Sequence, residues 1–211
     1  MYLSKILLDV RSPSVRQALR DANDMHRNLM SGFAMSNERE TPRADFQVLY
    51  RIIERRDGIE LLVSSAERPN AEALASHGFC TNESLIRDMS ALKAAFAPGR
   101  ILRFELLASP SRKVVGEGKN SRRFFLEREE ERLAWLCRKG KQGGFEILQA
   151  NEIGGRRDVL GRRGGMEIKN AAVLFSGVLK ITDKDAFWRS YTQGIGPGKA
   201  YGLGMLSVSA R

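Results

Sequence analysis

The stretch PGRILRFELLA, residues 98–108, decides the fold, because one series of structural elements ends in it and another begins. Pro98 and Gly99 are residues that stop helices, and they follow a helical pattern over residues 86–97. The run ILRFELLA, residues 101–108, is rich in branched and aromatic side chains and predicts a strand. A second series of elements therefore starts near the middle of the chain.

The N-terminal side of this stretch predicts a strand, a helix, two strands and further helical segments. The first helix begins at Ser12 and Pro13, since serine caps helices well and proline is tolerated in the first turn. Its apolar spacing continues to Gly32, and a turn at Asp57–Gly58 joins the two strands of a hairpin. The predicted strands are residues 3–10, 46–53 and 59–64, and the later helices start near residues 70 and 86.

The C-terminal side repeats these kinds of element in a similar order. Each half therefore follows β-α-β-β-α-β approximately, which is the ferredoxin-like arrangement. The sequence predicts an α+β protein of two tandem ferredoxin-like (RRM-like) domains, residues 1–97 and 98–211. In the second domain the predicted strands are residues 101–108, 145–150, 172–181 and 205–209, and the predicted helices are residues 123–139 and 183–191.

The charge of the chain favours a polyanionic partner. Lys and Arg number 35 against 25 Asp and Glu in 211 residues, which gives a net charge of +10. A positive field attracts nucleic acid or an anionic membrane. No apolar run approaches the roughly 20 residues of a membrane span, and the N-terminal apolar run is too short for a signal peptide. We expect a cytoplasmic protein that binds nucleic acid and has no membrane partner.

The cysteines and histidines exclude a zinc-finger protein. Cys80 and Cys137 lie far apart and form no CxxC pair, and the chain has only two histidines. Free thiols in a reducing compartment are therefore expected.

Five glycines lie close together near the C-terminus, in GIGPGKAYGLGML, residues 194–206. A P-loop needs GxxxxGK[ST], but Gly198–Lys199 is followed by Ala200, and no glycine spacing matches a GxGxxG dinucleotide loop. The segment also enters a strand, so it lacks the helix N-terminus that binds phosphate. A tight helix-to-strand connection is favoured over a ligand loop. The glycines are Gly194, Gly196, Gly198, Gly202 and Gly204, and Lys199 is the cationic candidate for a phosphate contact.

Four segments of the chain resemble one known family. GIGPGKAYGLGML, the opening MYLSKILLDV, RLAWLCRK (132–139) and LFSGVLKITD (174–183) are similar to the CasE subfamily of the RAMP superfamily. These are the repeat-processing endoribonucleases of type I-E CRISPR systems. The resemblance implies two ferredoxin-like domains and cleavage of CRISPR precursor RNA to mature crRNA, with no metal and no small-molecule cofactor. It also implies that the product is retained among the other subunits of the Cascade complex.

His26 and His77 are the only imidazoles, the side chains that titrate near neutral pH. His26 lies on the apolar stripe of the first helix, and from spacing alone a buried structural histidine is the simpler interpretation. The resemblance instead implies that His26 faces the cleft between the domains and acts there as acid or base. The RNA 2′-hydroxyl then attacks the adjacent phosphate and leaves a 2′,3′-cyclic phosphate. Family members often carry Tyr one turn before this histidine, where this chain has Asn23.

Residues 153–169, IGGRRDVLGRRGGMEIK, predict a flexible basic hairpin or loop. A solvated surface loop is the plain interpretation, but so dense an arginine tract usually meets phosphate. The resemblance implies that a basic hairpin of this domain lies along the major groove of the stem-loop of the repeat RNA. The candidate RNA-binding residues are Arg156, Arg157, Arg162 and Arg163 here, and Arg122 and Arg123 in a second basic stretch that includes Arg112 and Lys113.

Two other functions stay open at this point. Asp158, Glu167 and Lys169 form a D…ExK pattern like that of many Mg²⁺-dependent nucleases, although the pattern lies in a Gly/Arg-rich stretch. A RAMP scaffold that binds RNA without cutting it is the other alternative, and Asn23 in place of Tyr keeps it open.

Overall fold

The computed structural model describes residues 1–33, 46–81, 84–115, 121–164 and 166–210. In these ranges the strands form two four-stranded sheets and one two-stranded sheet. No described helix is long and apolar enough to cross a membrane. The strands are β1 (Tyr2–Leu7), β2 (Leu49–Arg55), β3 (Gly58–Ser65), β4 (Leu85–Asp88), β5 (Ile101–Ala108), β6 (Ser111–Val115), β7 (Ser121–Phe125), β8 (Phe145–Arg163), β9 (Met166–Ile181) and β10 (Leu206–Ala210). The helices are α1 (Pro13–Ala18), α2 (Ala22–Met30), α3 (Ala71–Ser76), α4 (Leu92–Ala95), α5 (Glu129–Gln142) and α6 (Lys184–Gln193).

The first sheet has β1 and β3 in its centre. Its strand order is β2–β3–β1–β4, and each neighbouring pair is antiparallel. Val15, Leu29 and Leu74, from the three helices α1 to α3, pack with Ile6 and Leu61 of the sheet into one buried core. This strand order is that of a ferredoxin-like domain.

The second sheet has β5 and β9 in its centre. Its order is β10–β5–β9–β8, again antiparallel throughout, and Trp135 of α5 and Phe187 of α6 are buried against it with Phe104 and Phe175. Both sheets therefore share one topology, and the predicted tandem ferredoxin-like fold is confirmed. The predicted boundary between residues 97 and 98 stays a prediction.

The predicted single helix from Ser12 to Gly32 is wrong, because the chain forms two helices there. The Asp21 carboxylate accepts a hydrogen bond of 2.9 Å from the Asn23 N–H and so caps the start of α2. The break places His26 in the middle of α2 rather than late in one long helix.

Two other helix predictions also differ from the structure. Residues 85–88 form β4, because Tyr2 and Lys5 of β1 pair with Asp88 and Leu85, and this long-range pairing outweighs the local helical pattern. In the second half, α5 begins only at Glu129, and the residues before it form β7, paired with β6. This additional β6–β7 hairpin was not predicted from the sequence.

The basic stretch at 153–169 belongs to one long hairpin of β8 and β9. These strands have 19 and 16 residues, against about five or six in an ordinary strand. Their pairing shifts register between Ile153 and Arg157, where Gly154 and Gly155 have φ angles of 71° and 67°. Beyond this bulge the hairpin continues past the ordinary length of a sheet strand and reaches α2.

Candidate nucleic-acid interface

His26 lies at the edge of the buried face of α2. Met25 and Leu29 on the same helix are fully buried in the core of the first sheet, whereas His26 is half-buried. The packed neighbours fix the helix, and the imidazole side chain is not wholly enclosed. His26 therefore lies at the border of the apolar stripe of α2, and the sequence had predicted it on the stripe itself.

The tip of the β8–β9 hairpin is bound to the start of α2 through its main chain. The side-chain amide of Asn23 donates a hydrogen bond to the Arg162 carbonyl, and the Arg162 N–H donates one of 3.2 Å to the Asp21 carboxylate. Asn23 precedes His26 by about one helical turn, so the two side chains lie on the same face of α2. The hairpin therefore reaches the face of α2 that carries His26.

The G-rich loop, residues 194–206, is bound to the same end of α2. It contains a short 3₁₀ turn, Lys199–Tyr201. The Tyr50 hydroxyl lies 3.3 Å from the Ala22 carbonyl oxygen and 3.0 Å from the Ala200 carbonyl oxygen. Burial raises the pKa of Tyr50, so its hydroxyl keeps the proton that it donates. The hairpin, the G-rich loop and α2 therefore meet in one region.

The glycines of the G-rich loop allow the loop to pack closely on its own chain. Gly204 has a φ of 85°, and a Cβ there would lie 2.6 Å from the Ile195 carbonyl oxygen. A Cβ on Gly196 would lie 3.1 Å from the Trp135 ring. The glycines are therefore explained by the tight helix-to-strand connection that the sequence predicted, because a Cβ at these positions would crowd other atoms of the protein. A contact between this loop and RNA stays a prediction.

Arg156 is held by neighbouring side chains at the base of the hairpin. Its guanidinium lies 3.1 Å from the Glu127 carboxylate and 3.4 Å from the Asp158 carboxylate. It also lies over the Phe125 ring, 5.3 Å from the ring centroid. A phosphate that binds Arg156 must displace or share these interactions.

The other hairpin arginines have different surroundings. The side chains of Arg157 and Arg162 are exposed to solvent. Arg163 is the last residue of β8, and its side chain lies outside the described residues. Arg162 thus offers positive charge close to α2, whereas the guanidinium of Arg157 lies beside Gly154 at the bulge.

A second basic region, the cationic groove, lies between the β6–β7 hairpin, α5 and the G-rich loop. It has a volume of about 670 Å³. Arg123 and Lys199 line it together, although they are far apart in the sequence. Arg122, the neighbour of Arg123 on β7, does not line the groove. The cationic side chains of the groove are Arg112, Lys113, Arg123, Arg138, Lys139 and Lys199.

Comparison with known proteins assigns the family. Residues 1–210 match the family model described as CRISPR associated protein. The chain belongs to this family. The CRISPR-associated endoribonuclease Cse3 of Thermus thermophilus is 31% identical to it over 223 residues, which cover 99% of this chain and 100% of Cse3. The Cascade subunit CasE of Escherichia coli is 29% identical over 219 residues, which cover 99% of each chain.

Solved structures show the same relationship. A structure of the CRISPR endoribonuclease Cse3 bound to a 19-nucleotide RNA matches with a TM-score of 0.83 at 28% identity. The match covers 99% of this chain and 100% of that chain. The resemblance to the CasE subfamily that the sequence indicated is thereby confirmed.

In this CRISPR-associated protein, the D…ExK residues do not form a joint metal site. Asp158 pairs with Arg156, and Glu167 pairs with Lys169 at 3.3 Å. The register places Glu167 opposite Arg162, four residues beyond Asp158, which is about 13 Å along a strand. Two carboxylates at that separation cannot bind one ion. Across the described ranges, no group of three or more His, Cys, Asp or Glu side chains is arranged to hold a metal.

A buried ion pair fixes the base of the CRISPR-associated protein's long hairpin. Arg132 of α5 donates to both carboxylate oxygens of Glu152 in β8, at 2.6 and 2.7 Å. It also donates to the Glu127 carbonyl at 2.6 Å. The side chains of Arg132 and Glu152 are only 11% and 7% exposed, and the hydrogen bonds to Glu152 raise the pKa of Arg132. The pair joins α5 to the strand whose distal end reaches α2.

Sequence reasoning missed several residues of this region. Arg138 and Lys139 were assigned to the end of a helix, and only the unpredicted β6–β7 hairpin places them in a groove. The contacts of Asp21 and Asn23 with Arg162 join residues 141 and 139 positions apart. No local pattern carries such a signal. The sequence predicted a helix over residues 123–139, but not that Glu127 pairs with Arg156.

Proposed function

We propose that this chain is a metal-independent endoribonuclease that binds the stem-loop of CRISPR repeat RNA and cleaves the precursor to mature crRNA. It then stays bound to the product as a subunit of Cascade. The observation that carries the proposal is the junction at α2, where the main chain of the basic hairpin lies one helical turn from His26. The names of the relatives support it, because Cse3 is an endoribonuclease seen with RNA and CasE is a Cascade subunit.

The proposed reaction uses the nucleophile that RNA itself carries. The 2′-hydroxyl attacks the adjacent phosphorus, the bond to the 5′-oxygen breaks, and a 2′,3′-cyclic phosphate and a 5′-hydroxyl result. The protein has to align these groups, transfer a proton and stabilise charge on the phosphate. His26 moves the proton, either from the 2′-hydroxyl as base or to the leaving oxygen as acid. One positioned imidazole contributes about 10²–10⁴-fold to the rate.

The proposed RNA-binding residues lie along the β8–β9 hairpin, on the β6–β7 hairpin and in the G-rich loop. Arg162 supplies exposed positive charge next to α2, and Arg157 supplies it further along the hairpin. Arg156 also binds RNA when a phosphate replaces Glu127 as its partner. Arg163, Arg122, Arg123 and Lys199 complete the cationic set. Gly194, Gly196, Gly198, Gly202 and Gly204 shape the loop that carries Lys199.

Asn23 has a positioning role in this proposal rather than a chemical one. Its amide is bonded to the Arg162 carbonyl and cannot replace a phenol in proton transfer. Two alternatives follow: His26 works with other helper groups, or turnover is slow, which suits a protein that keeps its product. We also infer that the chain acts in the cytoplasm, without a membrane partner or a small-molecule cofactor, and that residues 1–97 and 98–211 form its two domains.

Incubation of repeat RNA with the purified protein, with and without EDTA, tests the proposal. Cleavage at equal rates in both, with a 2′,3′-cyclic phosphate at the new end, is expected. Cleavage only without EDTA would mean a metal-dependent nuclease and would overturn the proposal. Tight binding without cleavage in either condition would favour the RNA-binding scaffold, which Asn23 in the place of Tyr keeps as the second candidate.

A further inference from the structure

We propose that the cationic groove binds single-stranded RNA that flanks the stem-loop, by its phosphates. This inference rests on the proposed function, because it assumes that the chain binds repeat RNA. It adds a second binding subsite, separate from the β8–β9 hairpin, and it names unpaired RNA as the ligand of that subsite.

The groove concentrates positive charge. Six cationic side chains line it, and its other described lining residues are uncharged. None of Arg112, Lys113, Arg123, Arg138 and Lys139 forms an ion pair with a described carboxylate. By contrast, the pocket beside the hairpin tip is lined by Asp21, Asp24 and Glu167 as well as by arginines. A polyanion is therefore attracted more strongly to the groove than to that pocket.

The shape of the groove suits one strand better than a double helix. Its cations come from three elements: the β6–β7 hairpin, α5 and the G-rich loop. Trp135, Gly194 and Gly196 lie among its lining residues, and the two glycines present no side chain to fill it. A single phosphate backbone in the groove contacts cations from all three elements. The groove's volume of about 670 Å³ is far smaller than one turn of a double helix, so a duplex would contact only the rim.

An exposed aromatic side chain lies beside the groove. Phe124 of β7 is 47% exposed and is the cross-strand partner of Arg112, which lines the groove. Bases of unpaired RNA stack on such aromatic rings, whereas bases inside a duplex are not available for stacking. The combination of a cationic groove and an adjacent aromatic ring is typical of single-strand binding.

The G-rich loop connects the groove with the catalytic helix. Lys199 lines the groove, and the turn that contains it is joined to the first residue of α2 through Tyr50, which contacts Ala22 and Ala200. An RNA strand that leaves the region of His26 along this loop therefore enters the groove directly. The two subsites thus form one continuous path for a single RNA molecule.

The test compares two RNAs and two double variants. One RNA is the repeat stem-loop alone, and the other carries in addition an unpaired flank of about ten nucleotides, within the usual size of a single-strand site. The variant R138A/K139A removes two groove cations from the solvent-facing side of α5. The matched control R56A/R68A removes two exposed arginines that do not line the groove. Circular dichroism verifies that each variant is folded.

We expect R138A/K139A to weaken binding of the flanked RNA about tenfold and binding of the stem-loop alone less than twofold. The slope of log Kd against log salt for the flanked RNA should fall by about 1.4, since each lost single-strand phosphate contact contributes about 0.7. The control should bind both RNAs as the wild type does.

Three results would overturn the inference. If R138A/K139A loses equal affinity for both RNAs, the groove binds the stem. If it loses affinity for neither, the groove is not an RNA-binding site. A wild-type protein that binds the stem-loop but gains nothing from the flank would refute the groove subsite and leave the proposed function intact. A wild-type protein that binds neither RNA would refute the proposed function itself.

Discussion

The β8–β9 hairpin and the cationic groove are both basic, yet their charges are arranged differently. In the hairpin, Arg156 pairs with Glu127 and Asp158, and Lys169 pairs with Glu167. In the groove, the arginines make no ion pair with a described carboxylate. The hairpin is a dense arginine tract in the sequence, whereas the groove collects cations from four separate stretches.

This difference determines which cations can bind RNA phosphate without first losing an ion pair within the protein. A carboxylate within 4 Å of an arginine competes with RNA phosphate for the same guanidinium. The hairpin therefore combines structural ion pairs with a few exposed cations near His26. Five of the six groove cations, Arg112, Lys113, Arg123, Arg138 and Lys139, form no ion pair with a described carboxylate. Three substitutions test the roles of the ion pairs and contacts of the hairpin, and a fourth tests the proposed catalytic role of His26.

Removing the ion pair at the base of the hairpin should have the largest effect on stability. Glu152→Ala leaves Arg132 nearly buried and bound only to main-chain carbonyls. We expect a loss of about 2 kcal/mol in the free energy of unfolding, or a thermal midpoint lower by about 4–8 °C in scanning calorimetry.

Glu146→Ala is the matched control, because Glu146 and Lys180 form an exposed pair at 3.4 Å. That variant should lose less than about 1 kcal/mol. Equal effects of the two substitutions would mean that the buried pair does not hold the hairpin.

Loosening the hairpin tip should lower the cleavage rate without weakening RNA binding much. Asn23→Ala removes the side-chain bond to the Arg162 carbonyl. Because small misplacements in an active site are costly, we expect a cleavage rate about tenfold lower and a Kd within twofold of the wild type. Single-turnover cleavage and filter binding measure the two quantities.

Asn28→Ala on the same helix serves as the control for Asn23→Ala. It should leave the cleavage rate unchanged. If Asn23→Ala cleaves as fast as the wild type, Asn23 does not position the hairpin for the reaction.

Removing the ion-pair partner of Arg156 should have the smallest effect of these substitutions, and the quantity affected is RNA affinity. Arg156 would then lack its Glu127 partner, as the groove arginines lack a described carboxylate partner. Glu127→Gln removes the carboxylate that pairs with Arg156 at 3.1 Å. Since an exposed ion pair contributes about 0.2–1 kcal/mol, RNA affinity should rise about twofold to threefold. Glu130→Gln, at an exposed position of α5, is the control, and titration at low salt measures both. A lower affinity in Glu127→Gln would show that this carboxylate orders Arg156 for RNA.

The tandem fold could be predicted from the sequence, whereas several of its details could not. The strand at residues 101–108 and the helix at 183–191 follow from local composition, and the structure has β5 and α6 there. Residues 85–88 form a strand only because β1 lies beside them. A local sequence pattern cannot predict a strand pairing that depends on residues at the other end of the domain.

The candidate site shows the same limit. The family resemblance indicated His26 and the arginine tract, but the spacing of His26 alone also fitted a core residue. The bond from Asn23 to Arg162 and the pairing of Arg156 with Glu127 depend on how distant segments meet. These contacts decide which cations are available, and they follow from the packing of the two sheets.

The most direct test of the central claim is single-turnover cleavage of stem-loop repeat RNA in EDTA by His26→Ala. His77→Ala is the control, because His77 is exposed at the end of α3 and bonded to the Ala73 carbonyl at 3.0 Å. We predict that His26→Ala binds the RNA within twofold of the wild type and cleaves it at least about 100-fold more slowly, while His77→Ala cleaves normally. Cleavage by His26→Ala at the wild-type rate would contradict the assignment of the catalytic centre to α2.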